Sequence, residues 1–521
     1  MIIMLGLYGS SVLLLNEDRL KSLIALHVER DSGRRIDIKG DLTVRLFPGL
    51  RLEAEQVTIS GPNSEAESSL LQAEFLEMNL RLLPMIRGEL KATQVRLSGA
   101  SLDLASDTDG LISLQDLLGS QVDADVESST TWLDGPIQID EILVNLSDSM
   151  GLRQDQFSVE QIELEGFAVG EPMAFRFRGN VGDPALFDWL EIDALMVPQP
   201  AGQFRLTNMR MTGSLEDGHF DFELLGNLDV LPGLPLTMAL DAGLLRVNEH
   251  EFEAQLNYVM RSRPFVDLNL YSDFIDLHLV ALPSLLQGQV GANSSSQVVS
   301  ALQGLDFDLN IAVDQVSQAG LILKNMALQA QSRSRQIRVD LLEADVPGGY
   351  LSAIGNVDMA SRGWPSELGL RVDADEFALL ARAIPWDWAP AGEGAISLLF
   401  KLSSGQDGLE VDGEGEIEIW NGRWPLVVGM VPDNWIDSDV DQFQFLSSPI
   451  EIDSQLISLP EFQMVSENIV AQGQLDLGWP PGPLAGALDL TRGDEVVQAE
   501  ISGSLDVPRA VLTPLQALDD P

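Results

Sequence analysis

The residues that are able to do acid–base or metal chemistry are scattered through this 521-residue sequence. Its histidines, His27, His219, His250 and His278, lie far apart, and no HxxxH or HExxH spacing joins any two of them. There is no cysteine, which excludes disulfides, thiolate catalysis and cysteine-ligated metals. A zinc site would need ligands from distant strands, so the sequence predicts no metal site.

One acidic stretch resembles the start of a calcium-binding loop. Asp437, Asp439 and Asp441 repeat the DxDxD spacing of an EF-hand. However, Gln442 stands where glycine is needed for the turn, and Ser448 stands where a bidentate glutamate is needed. We therefore predict an acidic surface loop.

No other pattern indicates catalysis or a cofactor. The sequence has no Walker loop and no GxSxG serine, and Gly413-Glu414-Gly415 lacks the third glycine of a dinucleotide loop. Paired carboxylates such as Glu414 and Glu416 suit glycoside chemistry only inside a cleft that raises the pKa of one of them. Acidic residues are too numerous and too regular here for two to stand out, so we expect neither an enzyme nor a cofactor.

The charge balance is strongly acidic, with 80 Asp and Glu against 31 Lys and Arg and a net charge of −49. Binding to nucleic acid requires basic residues that displace counterions from phosphate, so this balance argues against a nucleic-acid partner. It also argues against a polybasic patch that docks on anionic lipid. Most acidic residues occupy the polar positions of alternating stretches, which predicts a solvated face.

Alternation of apolar and polar residues dominates the rest of the chain. The clearest example is 305–358, which opens LDFDLNIAVD and continues through shorter strands, a Pro347-Gly348-Gly349 turn and no helix-length pattern. We predict Leu321–Leu323 and Met326–Ala330 as separate strands, and Trp420-Asn421-Gly422 as a hairpin turn. Short helices such as Phe377–Ile384 are few. About 30 strands are expected, and a twisted sheet of that length curls or folds on itself.

Such a sheet, curled into an open trough, would be apolar inside and acidic outside. An uncovered apolar face of this size is unfavourable in water unless something fills it. Lipid acyl chains are a suitable filler, because each buried methylene contributes about 0.8 kcal/mol. The candidate lipid-groove residues are Leu305, Phe307, Leu309, Ile311, Val313, Ile337, Val339, Leu341, Ile396, Leu398, Phe400, Ile417 and Ile419.

The N-terminal stretch Ile2–Leu15 carries no charge. As a helix it reaches only about 21 Å, short of a hydrocarbon core of roughly 30 Å. It fits a transmembrane anchor that lacks its first residues, a signal-peptide core without a cleavage site, or a buried helix, and we favour the anchor. The anchor residues are Ile2, Ile3, Leu5, Leu7, Val12, Leu13, Leu14 and Leu15.

Short glycine-rich motifs at both ends resemble those of the AsmA family. The N-terminal motifs are Gly33-Arg34-Arg35, Gly40-Asp41-Leu42, Leu46-Phe47-Pro48, and Leu82-Leu83-Pro84 followed by Gly88. The C-terminal motifs are Gly320-Leu321 through Gly348-Gly349, Gly355-Asn356-Val357-Asp358, Gly392-Glu393-Gly394, Asn421-Gly422, and Ile501-Ser502-Gly503 through Pro508. The likeness covers 1–120 and 300–512 well, whereas 130–290 shares the strand pattern alone.

The resemblance implies a mainly β protein with an elongated, curled antiparallel β-groove, an N-terminal membrane helix and a few short helices. We expect an anchor at 1–16, a helix-plus-β module at 17–120, an acidic linker at 121–131, a middle β-groove region at 132–300 and a C-terminal β domain at 301–521. The family implies a single-pass inner-membrane protein with most of its chain in the periplasm of a Gram-negative bacterium.

The function implied by the resemblance is non-enzymatic. The groove would hold phospholipid acyl chains and support lipid transport from the inner to the outer membrane and outer-membrane assembly. Its partners would be phospholipids, the inner membrane, and outer-membrane or periplasmic assembly proteins. Two alternatives stay open: a periplasmic β scaffold that regulates outer-membrane protein assembly through its open sheet edges, and an acidic secreted adhesin of sandwich domains.

Overall fold

The fold is that of a computed structural model. It describes the following residues: 21–22, 25–26, 35–45, 49–60, 69–81, 83–84, 91–105, 135–147, 154–165, 172–180, 188–199, 203–215, 220–231, 236–261, 263–277, 303–318, 321–361, 365–383, 390–404, 409–424, 430–436, 439–453, 456–478, 482–504 and 507–515. The expected anchor, the linker 121–131 and the acidic start of the DxDxD stretch lie outside these residues.

Contacts divide the chain into two units. Unit 1 comprises Met1–Leu268 and Ser296–Leu305, and unit 2 comprises Asn269–Ser295 and Asp306–Pro521. The predicted boundary between 300 and 301 therefore lies close to the point where unit 2 resumes. Both units are built almost entirely of β-strands in their described residues, which confirms the mainly β class.

The strands of unit 1 pair mostly with their neighbours in sequence. They are β1 (Ile36–Ile38), β2 (Leu42–Arg45), β3 (Leu50–Ser60), β4 (Ser69–Leu80), β5 (Ala92–Ala105), β6 (Ile137–Ser147), β7 (Gln154–Glu165), β8 (Met173–Asn180), β9 (Trp189–Pro198), β10 (Phe204–Leu215), β11 (Phe220–Leu231), β12 (Leu236–Val247) and β13 (His250–Met260). The next strand, β14 (Phe265–Asp276), has residues up to Leu268 in unit 1 and the rest in unit 2.

Within its described residues, unit 2 continues the same arrangement with one helix, α1 (Phe377–Ala383), and a 3-10 turn at Asp433–Trp435. Its further strands are β15 (Asp306–Gln318), β16 (Leu321–Arg333), β17 (Gln336–Val346), β18 (Gly349–Asp358), β19 (Ser366–Ala374), β20 (Ala391–Ser404), β21 (Leu409–Arg423), β22 (Gln442–Asp453), β23 (Leu456–Val465), β24 (Val470–Gly478), β25 (Pro483–Arg492), β26 (Glu495–Ser504) and β27 (Val507–Leu515). The helix predicted at Phe377–Ile384 is confirmed over its described residues.

Two predictions of local structure are wrong. Leu321–Leu323 and Met326–Ala330 belong to one strand, β16, because Asn325 takes a left-handed φ of 51° and the ladder continues past it. The expected hairpin turn at Trp420-Asn421-Gly422 lies inside β21, where Asn421 has the same φ of 51°. Asparagine tolerates this conformation better than most residues, so it bends a strand without ending it.

Antiparallel pairing is general but not universal. In unit 1, β5 and β6 are parallel, with Val95 opposite Ile137 and Ala105 opposite Ser147. A parallel pair requires a crossover connection of a dozen or more residues, and residues 106–136 supply that length. In unit 2, Asn310 Nδ2 donates to Asn269 Oδ1 over 3.0 Å, and Leu277 N donates to Ser317 O over 2.9 Å. From the first hydrogen bond to the second, the residue number increases in β14 and in β15, so this part of β14 also runs parallel to β15.

The first core of unit 1 lies on one face of β1–β5. It contains Ile36, Leu52, Leu76 and Val95, and Leu52 is only 1% exposed. Ala25, from a helical stretch near the N-terminus, packs against it. A second cluster continues across β4–β7 and consists of Ala73, Ala100, Ile142 and Val159. No helix within the described ranges has both the length and the apolar composition needed to span a bilayer.

The opposite face of unit 1 carries a ladder of ion pairs across four strands. Arg210 Nε donates to Glu223 Oε1 over 2.7 Å, and Arg246 Nη1 donates to Glu223 Oε2 over 3.0 Å. Arg246 Nε in turn donates to Glu251 Oε1 over 2.8 Å. The hydrogen bond from Arg246, helped by the charges of both arginines, holds the pKa of Glu223 below its ordinary value of 4.5.

This ladder predicts an acid-dependent loss of stability. Because the folded pKa of Glu223 is lowered, its contribution is present above about pH 4.5 and is lost as the pH falls through the folded pKa. We expect Glu223→Gln to lower the melting temperature at pH 7, with a difference from wild type that shrinks below pH 4.5. Calorimetry from pH 7 to pH 3 measures this difference, and Glu253→Gln on β13 is the control for loss of one exposed carboxylate. An E223Q difference that does not change with pH would contradict the assignment.

Candidate functional site

The candidate site is one face of the unit 2 sheet, which we call the apolar face. Strand register defines it, because residues directly opposite each other in a ladder point to the same side of a sheet. Leu309 is opposite Ala330, Ala330 is opposite Val339, and the line continues across the sheet. We call this line the first row; it comprises Leu309, Ala330, Val339, Gly355, Leu368, Phe400, Gly413, Ile452, Ile457, Leu477 and Leu484.

Further rows lie alongside the first on the same face. The second row comprises Ile311, Leu328, Leu342, Ala353, Leu370, Leu398, Gly415 and Ile450. The third row comprises Ala344, Leu351, Val372, Ile396, Ile417 and Ser448. The fourth row comprises Val346, Gly349, Ala374, Gly394, Ile419, Leu446, Met464, Ala471, Leu490 and Val497. None of these rows contains a charged residue.

Most predicted groove residues fall on this face. Leu309, Val339 and Phe400 share the first row, Ile311 and Leu398 the second, Ile396 and Ile417 the third, and Ile419 the fourth. Phe307 and Ile337 lie beside the first row, each opposite Ser332. Val313, two residues beyond Ile311, is 1% exposed. Whether these residues bind lipid stays a prediction.

Two predicted groove residues are not brought together with the others. Leu341 is opposite Gln329, and Gln329 is opposite the exposed Asn310, so Leu341 belongs to the polar side of the sheet. The cause is a register shift in β17, where Ala330 is opposite Val339 but Gln329 is opposite Leu341. The second of these residues, Leu305, belongs to unit 1, where Arg263 Nη2 donates to its carbonyl over 3.1 Å.

The same register shift adds residues that alternation alone misses. Leu342 takes the place of Leu341 on the apolar face, opposite Leu328 and Ala353. Leu368 and Leu370 of β19 also belong to the apolar face, independently of that register shift. The adjacent leucines at 341 and 342 were the available signal, since two consecutive apolar residues in an alternating strand are typical of a bulge.

Burial changes from one end of the apolar face to the other. Most side chains of the first and second rows, such as Leu309, Leu368 and Phe400, are half-buried, whereas Ala330, Leu484, Ala353 and Ile450 are buried. In the fourth row Ile419 is 0% exposed and Met464 2%. The half-buried rows therefore form the part of the face that is open to a ligand.

A closing segment covers the fourth-row end. Phe377 of α1 and the residues Trp424, Met430 and Trp435 join the core cluster that contains Ile419. Trp435 Nε1 donates to Glu495 Oε2 over 2.8 Å, which attaches the segment to β26. A second contact comes from β25 and is a charge-assisted hydrogen bond: Arg492 Nη1 donates to the carbonyl of Trp435 over 2.9 Å.

The other side of the sheet is polar and charged. Arg333 Nη2 pairs with Asp308 Oδ1 over 2.7 Å, and Arg371 Nη2 pairs with Asp373 Oδ1 over 2.6 Å. Glu414 and Glu416 lie exposed on β21. The two sides therefore differ as the alternating sequence predicts, with apolar residues on one and solvated charge on the other.

Residues with catalytic potential stay apart in the described part of the chain. No group of three His, Asp or Glu side chains comes close enough there to hold a metal ion. Asp439 is exposed and accepts a hydrogen bond from Gln442 Nε2 over 2.7 Å, which ties the end of the DxDxD stretch to β22. His250 is buried at the start of β13, and its Nε2 has no hydrogen-bond partner.

Comparison with known proteins adds a family relationship to this geometry. The model of the AsmA family matches residues 1–232, which extends beyond the N-terminal module into the middle β region. Protein AsmA of Escherichia coli (strain K12) is 20% identical to this chain over 464 residues, which covers 81% of this chain and 71% of that protein. No solved structure gives a significant match. The motifs at both ends, the N-terminal family match and this long alignment agree, and they show that the chain is similar to the AsmA family.

Proposed function

We propose that this protein is a non-enzymatic envelope protein that holds phospholipid acyl chains on the apolar face of unit 2. Similarity to the AsmA family supports an envelope-associated role. In this proposal the chain is anchored in the inner membrane through Ile2–Leu15, with most of its length in the periplasm. It supports lipid transport from the inner to the outer membrane and outer-membrane assembly.

The observation that carries the proposal is the first row of the apolar face. It runs from Leu309 to Leu484 without a polar or charged residue, across ten inter-strand spacings of about 4.8 Å each. Most of its side chains, including Val339 and Phe400, are half-buried, whereas Leu484 at its end is 2% exposed. An apolar surface of this extent that is not fully covered is typical of a binding surface.

Acyl chains match this surface chemically and energetically. A row of Leu, Ile, Val and Phe offers no hydrogen-bonding groups, so it favours a ligand segment that has none. A chain that buries ten methylenes gains roughly 8 kcal/mol at about 0.8 kcal/mol each. Glycine at positions 355, 413 and 415 leaves room beside Leu368, Phe400 and Leu398 respectively, since a Cβ on Gly413 would lie 3.2 Å from Phe400 Cδ1.

The test is direct detection of bound lipid. The full chain is purified in a mild maltoside detergent and examined by native mass spectrometry. We expect phospholipid to remain bound at a defined stoichiometry. A protein that carries no phospholipid, yet crosslinks through its sheet edges to an outer-membrane assembly protein, would instead favour the scaffold function.

A further inference from the structure

The last strand, β27, contains two prolines in a regular ladder. Pro508 is opposite Gly503, and Pro514 is opposite Val497. The pairing with β26 runs without a register shift from Val496 opposite Leu515 to Ser504 opposite Val507. The prolines are therefore accommodated in β27 without a bulge.

Two prolines in the middle of interior strands are accommodated differently. Pro460 of β23 lies where the pairing with β24 shifts between Leu459 and Phe462. Pro449 of β22 lies where the pairing with β23 shifts after Ser447. Proline lacks the amide hydrogen of a ladder hydrogen bond, so an interior strand tolerates it at a bulge.

An unshifted ladder places the prolines of β27 on its free edge. In an antiparallel strand, the N–H groups of alternate residues point to opposite neighbours. Pro508 and Pro514 are both even-numbered, so the odd-numbered residues, such as Arg509, bond to β26. The backbone N–H groups of the even-numbered residues then point away from β26, to an edge on which no strand in the described part of the chain pairs with β27. Ala510 and Leu512 are the only N–H donors between the two prolines on that edge.

We propose that β27 is a terminating edge strand that prevents another β-strand from extending the unit 2 sheet. The excluded strand is that of a second copy of this chain or of any other protein. An added strand would find donors at Ala510 and Leu512 and none at 508 or 514, too few for a continuous ladder. This inference is independent of lipid binding, and it argues against the scaffold function at this edge.

The test restores the missing donors in the full chain, purified in detergent. Pro508→Val and Pro514→Val together give the edge four outward N–H groups. We expect this double variant to form dimers or larger species in a concentration-dependent way by light scattering after gel filtration, whereas wild type stays monomeric. Pro483→Val is the matched control, because β25 is already paired on both sides, and it should leave the mass unchanged.

Misfolding is distinguished from edge pairing by a rescue variant. Adding Ala510→Pro to the double variant removes an outward donor and should return the protein to a monomer with an unchanged circular dichroism spectrum. Arg509→Pro, which removes a hydrogen bond to β26, should lower the melting temperature more than Ala510→Pro does in the wild-type background. A folded double variant that stays monomeric, or an Ala510→Pro variant that is as destabilised as Arg509→Pro, would overturn the proposal.

Discussion

Leu398→Asp is expected to lose bound phospholipid, whereas Leu399→Asp, one residue further along β20, is expected to keep it. Leu398 lies in the second row of the apolar face, opposite Leu370 and Gly415. Leu399 is opposite Gly369 and Glu414 on the polar side, and it is 39% exposed. An aspartate has no long stem that would carry its charge to water, so its carboxylate would stay among the apolar rows.

The size of the effect follows from the cost of desolvating charge. Covering an ionised carboxylate with acyl chains costs several kcal/mol, and each 1.4 kcal/mol reduces affinity tenfold. We expect at least a roughly tenfold fall in lipid per protein for Leu398→Asp, measured by native mass spectrometry of the full chain. Leu399→Asp controls for the added charge and for the strand. Equal lipid occupancy in both variants, with both folded, would show that the apolar face is not the lipid site.

The second large effect is expected at the closing segment. Trp435 is 2% exposed, and its side chain and carbonyl bond to Glu495 and Arg492. Trp435→Ala removes the packing and the indole N–H that donates to Glu495, whereas the backbone carbonyl that accepts from Arg492 is kept. Replacing a buried tryptophan by alanine typically costs about 3–5 kcal/mol. We expect a loss of that order in the free energy of unfolding of unit 2.

The matched control is Trp420→Ala. Trp420 is 36% exposed on β21, and its ring lies 6.2 Å from that of Phe445. An exposed aromatic pair contributes about 0.5–1.5 kcal/mol beyond its burial, so this variant should lose much less than Trp435→Ala. Urea unfolding followed by far-ultraviolet circular dichroism measures both. Similar losses at the two positions would show that the closing segment contributes little to the stability of unit 2.

The closing segment also separates two roles along one surface. The fourth row, at Ile419 and Met464, is covered and stabilises the fold. The first and second rows remain half-buried, which leaves them available to a ligand. If acyl chains bind there, the covered end limits how far along the strands they extend, because Trp435, Met430 and Ile419 are buried in one core cluster.

The sequence by itself determined the β class, the two-sided character of the strands and the resemblance to the AsmA family. Apolar and polar residues alternate with period 2, and a strand places alternate residues on opposite faces, so the pattern predicts faces wherever a strand is regular. Phe307 to Val313 follow that rule in the structure. The family motifs at Gly33–Gly88 and Ile501–Pro508 are similarly local, so they can be recognised from the sequence without a structure.

The tertiary structure decided where the alternation breaks and which distant residues meet. The adjacent leucines at 341 and 342 indicate a bulge, but hydrogen bonding to the neighbouring strand decides that Leu341 leaves the apolar face and Leu342 joins it. The contact of Trp435 with Glu495 joins residues that are 60 positions apart. The parallel pairing of β5 with β6 likewise follows from the path of the chain. Side-chain periodicity is a property of one strand, whereas register and closure are properties of pairs of strands, and for that reason the structure was needed to define this site.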